Sequence, residues 1–308
     1  MTRLKCIVDT DPGIDDAIAI LMALNCASID VLGFTTTGGN ISLETANKNI
    51  LSIFDYLHCP NNVYSGAEFP IKGSFPYATN FHGESGLSKD LPDPVSNVSS
   101  VNAVDFINDS LCRSPNDITL ICLGPLTNLY RLFVKYPDSM SKIGSLVLMG
   151  GAVNSKGNVT EHAEFNFYCD PIAADYVLST GVPVTLVDLK ACRQVGMSRK
   201  VAHSISSVTR TGQLAIELIV NWFGLDETRS VFEFYDPLAL AISIDPSLAT
   251  YDATDITVHT NVTPRYGETV AFYTQGSTNL VDIVDADKFF HMFADFLDIK
   301  GLSPLSPE

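Results

Sequence analysis

The chain opens on a short apolar run, Cys6-Ile7-Val8, breaks into a polar turn carrying Asp-Pro-Gly, and resumes with eight apolar residues at 17–24. A β-branched run, a turn and then a helical period predict a strand, a turn and a helix. The rhythm repeats: 30–37 (DVLGFTTT) reads as a strand, and 44–57 places Ala46, Ile50, Ile53, Phe54 and Leu57 at helical spacing. Residues 60–100 are rich in proline, glycine and serine and predict a long loop, which in compact domains usually serves function. A helix is expected over 101–113, and the unbroken hydrophobicity of 117–123 (DITLICL) predicts a central, parallel strand. Strands at 145–149 and 182–189 follow, separated by a polar loop at 154–166 and a helix at 172–178 whose start is marked by Asp170-Pro171. A helix is expected over 198–223 and another after Tyr235-Asp236-Pro237; strand-like runs at 256–259, 269–273 and 280–284 precede a last helix at 285–297. Alternation through the first 190 residues predicts an α/β fold, a mostly parallel central sheet with helices on both faces and a few antiparallel strands near the C-terminus.

This pattern places four carboxylates, Asp9, Asp11, Asp15 and Asp16, at the carboxyl end of the first strand, where open α/β sheets bind their ligands. Carboxylates this crowded either raise their pKa values or bind a cation, and a hard divalent ion suits oxygen ligands. Asp15 and Asp16 also suit a helix start, one of them as N-cap. Gly38-Gly39-Asn40 ends the second strand and lets the backbone approach a ligand, with Asn40 able to donate and accept. His82 stands in the long loop within HGESGL, and neither G-x-G-x-x-G nor G-x-x-x-x-G-K-[ST] occurs.

Charge and cysteine content narrow the partners. A formal charge of -16 argues against nucleic acid and favours a small neutral or cationic ligand. Seven scattered cysteines without C-x-x-C read as reduced thiols. Only three consecutive apolar residues precede Asp9 and no run exceeds eight, so neither a signal peptide nor a membrane span is expected, and the protein is expected in the cytoplasm.

The stretch DTDPGIDDAIAI closely resembles the opening motif of the inosine-uridine-preferring nucleoside hydrolases, calcium enzymes that cut the N-glycosidic bond of ribonucleosides. GGN at 38–40, HGESGL at 82–87, LGPLTN at 123–128, MGGA at 149–152, GNVTEHAEFNFYCDP at 157–171 and YDPLAL at 235–240 follow in the family's order, so the resemblance spans about residues 5–245. It implies one domain over 1–308 that acts in purine and pyrimidine salvage as a homodimer or homotetramer. It further implies that Asp11, Asp16, Asp236 and the Leu123 carbonyl hold Ca2+. Asp15, Asn40, Asn158, Glu164 and Asn166 would bind the ribose hydroxyls, and Asp11 would also act as general base toward a metal-bound water. Met149, beside a double glycine, is a candidate ligand contact, and Phe165 and Phe167 are candidates either for the sugar or for the core. Tyr235 departs from the pattern, because members accepting both purine and pyrimidine nucleosides commonly carry histidine there. With a tyrosine in that place, His82 becomes the best imidazole for the leaving base and His162 a weaker one. Trp222 and Arg229 are named for base contact without a motif to place them. Two other readings stand beside this one: a nucleoside-binding protein that lost turnover through position 235, and a haloacid dehalogenase-like phosphotransferase with Asp9 as nucleophile.

Overall fold

Strand β1 (Leu4–Thr10) lies inside a nine-stranded sheet, flanked by β2 (Ile29–Thr36) and β4 (Ile118–Cys122). The other members are β3 (Val63–Ser65), β5 (Ser145–Met149), β6 (Val184–Val187), β7 (Ala249–Val258), β8 (Thr269–Phe272) and β9 (Thr278–Val284). Their order is β8-β7-β9-β6-β5-β4-β1-β2-β3. Every pairing from β9 to β3 is parallel, and β7 runs antiparallel to both β9 and β8. The fold is therefore the mostly parallel α/β arrangement expected, with its antiparallel part at the C-terminal side. The computed structural model describes residues 3–273 and 276–302.

Period-two alternation divides the strand side chains between two cores. Cys6, Val8, Ile121, Val147 and Met149 face one, and Ile7, Leu120, Cys122, Leu146 and Leu148 face the other. Helices α1 (Ile14–Asn25) and α2 (Leu43–Leu57) cover the first face, together with α8 (Arg210–Gly224), α9 (Tyr235–Ile244) and α10 (Ala286–Leu297). The second is covered by α4 (Ala103–Arg113), α5 (Thr127–Lys135) and α7 (Pro171–Ser179), α3 and α6 being the short helices Thr79–His82 and Phe165–Cys169. Burial on both faces explains why the strands read as continuous apolar runs. Asp170 caps α7 as its sequence implied, accepting from the Ala173 N–H at 3.1 Å.

Three segments differ from expectation. Residues 60–100 contain β3 and α3, so His82 ends a helical turn and is 3% exposed instead of lying in a solvated loop. The helix expected over 198–223 is interrupted. Gly196–Ser198 pairs with Val231–Glu233, and Thr209 caps a new start for α8 (Arg210–Gly224) by accepting from the Gly212 N–H at 3.1 Å. The intervening Ser- and Thr-rich stretch bonds its own backbone, which competes with helix. Helix α9 (Tyr235–Ile244) follows, and α10 (Ala286–Leu297) closes the first face. Gly13, not an aspartate, is the N-cap of α1, and Asp16 reaches back to its N–H at 3.0 Å. All seven cysteines are unpaired, and no helix among the described residues is long and apolar enough to cross a membrane.

Candidate active site

The carboxyl ends of β1, β2, β4 and β5 converge below a cavity of about 370 Å³. Asp15, Asn40, His82, Leu123, Met149, Asn158, Glu164, Phe165, Asn166, Tyr235 and Asp236 line it, while Asp11 and Asp16 are fully buried beneath. A second cavity of about 430 Å³ lies at the amino ends of β5 and β6, but no ionisable side chain among the described residues lines it. The buried carboxylate cluster of Asp15, Asp16 and Asp236 lies at the first.

The floor is built from the β1–α1 turn. Asp16 accepts from Thr10 Oγ1, from the Gly13 N–H at 3.0 Å and from Asn40 Nδ2 at 3.1 Å. Asp11 Oδ2 accepts the Asn40 N–H at 2.6 Å, while its Oδ1 has no hydrogen-bond partner among the described residues. Glycine is required around this carboxylate: a Cβ at Gly124 would lie 2.5 Å from Asp11 Oδ1, and one at Gly39 would overlap Oδ2. Asp15 Oδ1 is likewise without a partner. Carboxylate oxygens of Asp15, Asp16 and Asp236 all lie within 4.8 Å of one another, and Asp236 shares a hydrogen bond with Asp16.

Burial, followed by the charge of Asp16, pushes Asp15 up to about 8 and Asp11 and Asp236 well above the carboxylate range. Asp16 is raised as well, again by burial, and held back by its hydrogen bonds. Unpartnered carboxylate oxygens and an all-oxygen donor set fit a hard divalent cation. The Leu123 carbonyl accepts from Asn166 Nδ2 at 2.6 Å and keeps a second lone pair.

One wall is organised by Glu164, the N-cap of α6. Its Oε1 accepts from the Asn166 N–H at 2.8 Å, and its Oε2 accepts from the N–H groups of Gly151 and Phe167 at 3.0 Å. Burial still raises this carboxyl to about 7. Asn166 Nδ2 donates to the carbonyls of Leu123 and Met149, so its amide oxygen is what it can offer a ligand. Asn158 is exposed at the rim and Phe165 is half-buried against the cavity, whereas Phe167 packs beneath Gly150 in the core.

The opposite wall holds His82 and Tyr235. His82 Nδ1 accepts the Ile14 N–H at 3.1 Å, so the ring hydrogen sits on Nε2. Burial, then the nearby Arg229 charge, lowers its pKa to about 3 and keeps the imidazole neutral. The Tyr235 hydroxyl donates to Glu233 Oε2 at 2.5 Å, and burial with that carboxylate keeps the phenol well above its usual range. Its hydrogen is therefore committed away from a ligand.

Residues 6–291 match the family described as inosine-uridine preferring nucleoside hydrolase. The chain belongs to this family. It is 34% identical over 263 residues to Uridine nucleosidase 1 of Arabidopsis thaliana, covering 83% of this chain and 78% of that protein. Identity is also 34% over 281 residues with the Non-specific ribonucleoside hydrolase RihC of Salmonella paratyphi A, covering 91% and 88%. The solved structure of a Purine-Preferring Ribonucleoside Hydrolase from Gardnerella vaginalis matches with a TM-score of 0.88 and 30% identity over 95% of this chain and 98% of that one. This nucleoside hydrolase is accordingly an N-glycosidase of ribonucleosides, and the phosphotransferase reading falls.

Within the hydrolase, Asp9 stands outside the cavity. Its Oδ1 accepts from Thr35 Oγ1 at 2.5 Å and Asn128 Nδ2 at 2.7 Å, and burial raises it to about 6. Asn128 also donates to the Thr36 carbonyl and accepts from the Ala67 N–H, fastening β1 to its neighbours. His162 lies away from the cavity, 3.7 Å from Glu268. Neither Trp222 nor Arg229 is among the residues that line the cavity. Trp222 is buried among Phe223 and Phe232. Tyr77, Ala78, Asn80, Phe81 and Val159 line the cavity without having been named from sequence. Phe81 directly precedes the HGESGL motif, and that adjacency was the available signal.

Proposed function

We propose that the protein hydrolyses ribonucleosides, purine, pyrimidine or both, to ribose and free base with Ca2+ held by Asp11, Asp16, Asp236 and the Leu123 carbonyl. The observation that carries this reading is the buried carboxylate cluster, with Asp11 Oδ1 and Asp15 Oδ1 unpartnered, beneath a cavity of about 370 Å³. That volume lies within the range of small-molecule sites. A bound Ca2+ would acidify a water and take oxygen ligands from the ribose.

The chain's own residues supply the rest. Asn40 fixes Asp11 through Oδ2 and leaves Oδ1 free to take a proton from the attacking water. Asp15, Asn40, Asn158, Glu164 and Asn166 surround the ribose, with Met149 and Phe165 as apolar contacts. As the bond from C1′ to the base nitrogen breaks, positive charge grows on the sugar, and the Glu164 carboxylate and Asn166 amide oxygen are positioned to stabilise it. His82 donates a hydrogen bond from its Nε2–H to the departing base, which leaves as an anion and takes its proton from solvent. Tyr235 contributes its ring, because its hydroxyl hydrogen is held by Glu233. One sheet covered on both faces supports a single domain.

The test is ribose release from inosine, uridine, cytidine and adenosine, with and without Ca2+. Calcium-dependent release from at least one is expected. Binding of nucleoside without release from any would sink the hydrolytic reading and favour a binding protein.

A further inference from the structure

Arg229 lies behind the cavity wall and joins segments far apart in sequence. Its Nη2 donates to the Asn80 carbonyl at 2.9 Å, and its Nη1 donates to the carbonyls of Phe81 at 3.2 Å and Trp222 at 3.0 Å. The guanidinium also lies 4.4 Å from the Trp222 ring centroid and 5.3 Å from that of Phe81. One side chain thus fastens the end of α3 to the end of α8. The turn that carries it is secured in the same way, since Arg199 Nη2 donates to the carbonyls of Asp226, Glu227 and Arg229 at 3.0–3.2 Å.

Helix α3 needs such support. It has four residues, no side-chain N-cap bond, and left-handed backbone on both sides, at Tyr77 (φ 47°) and Gly83 (φ 84°). A single helical turn does not persist by itself in water. His82 is the last residue of that turn.

We propose that Arg229 is a positioning residue for the reaction: it holds α3 so that His82, its Nδ1 bonded to the Ile14 N–H, keeps its Nε2–H directed at the substrate. The clamp depends on a planar fork that meets three carbonyls while lying on two rings, and lysine provides no such fork. The step assigned to His82 rests on the function proposed above. Its position does not.

The test compares wild type, H82A, R229A, R229K and the double variant H82A/R229A, all loaded with Ca2+, on inosine and on a nitrophenyl riboside whose leaving group needs no hydrogen bond. R229A should lower kcat on inosine roughly tenfold, as a small misplacement of a reacting group does. KM should change little and the nitrophenyl riboside should be spared. R229K should resemble R229A, and added guanidinium should restore part of the R229A loss. The double variant should be no slower than H82A, because the two residues act through one group. R210A, which removes a comparable arginine–carbonyl contact to Tyr56 and its stacking there, is expected to behave as wild type on both substrates. Additive losses in the double variant, or an equal loss on both substrates for R229A while H82A discriminates between them, would overturn the positioning role. An equal loss on both substrates for H82A contradicts only the step given to His82, since non-additivity with R229A supports positioning whatever that step is.

Discussion

At the floor of the cavity Asp11 and Asp16 are 0% exposed, Asp16 held by backbone and side-chain donors and Asp11 by the Asn40 N–H, and glycines press against the Asp11 carboxylate where no Cβ would fit. At the mouth, Tyr77 is 43% and Val159 38% exposed, and the walls come from loops and a single helical turn. The floor is formed by the ends of adjacent parallel strands, whose register leaves little freedom. Residues at the mouth are held by a few long-range contacts, of which Arg229 makes several. The function proposed above thus puts charge and water activation on the rigid part and contact with the base on the adjustable part. Changes at the floor should slow all substrates alike, and changes at the mouth should depend on the base.

Removing the divalent ion should have the largest effect, taking turnover of every substrate to background. In the metal-free protein Asp15, at about 8, and Glu164, at about 7, are raised above ordinary carboxylates by burial. Their stabilising contribution is then complete below about pH 4 and is lost as pH rises through 7 and 8. Metal-free Tm should fall between pH 5 and 8.5, and Ca2+ should raise Tm more at pH 8.5 than at pH 5 because ionised carboxylates bind it. A metal-free Tm independent of pH would break the distinction between floor and mouth.

Gly39→Ala comes next. The added methyl must displace the Asp11 carboxylate, so kcat should fall by about 10² on inosine and on a nitrophenyl riboside alike. A loss confined to one substrate would show that floor and mouth are not separable. His82→Ala should cost about 10² on inosine and under about threefold on the nitrophenyl riboside. Tyr235→Phe should have the smallest effect, within about threefold on all substrates, since a hydrogen bond of about 1 kcal/mol to Glu233 is what it loses. A larger, base-selective loss would return the hydroxyl to substrate contact.

The same division governs what sequence alone could show. DTDPGIDD lies on one strand and the turn after it, so local pattern places Asp11, Asp15 and Asp16 at the strand end and implies a cation. Parallel strands were legible because burial on both faces leaves unbroken apolar runs. Less legible were α3, β3 and the break before α8, which depend on partners distant in the chain. Arg229 meets Asn80 and Phe81 across about 150 positions, and neither a periodic pattern nor a short motif carries that contact. Tyr235 was visible as a departure from the family, but the fate of its hydrogen is decided by Glu233, two residues away on Val231–Glu233, which pairs with Gly196–Ser198.

The most direct measurement is ribose release from inosine by Asp11→Asn with calcium binding confirmed calorimetrically. If Asp11 takes the proton from water, kcat should drop by at least about 10² and up to 10⁴, with the same drop on the nitrophenyl riboside. Turnover near wild type in the calcium-loaded variant would contradict that role for Asp11 and, with it, the assignment of water activation to the cavity floor.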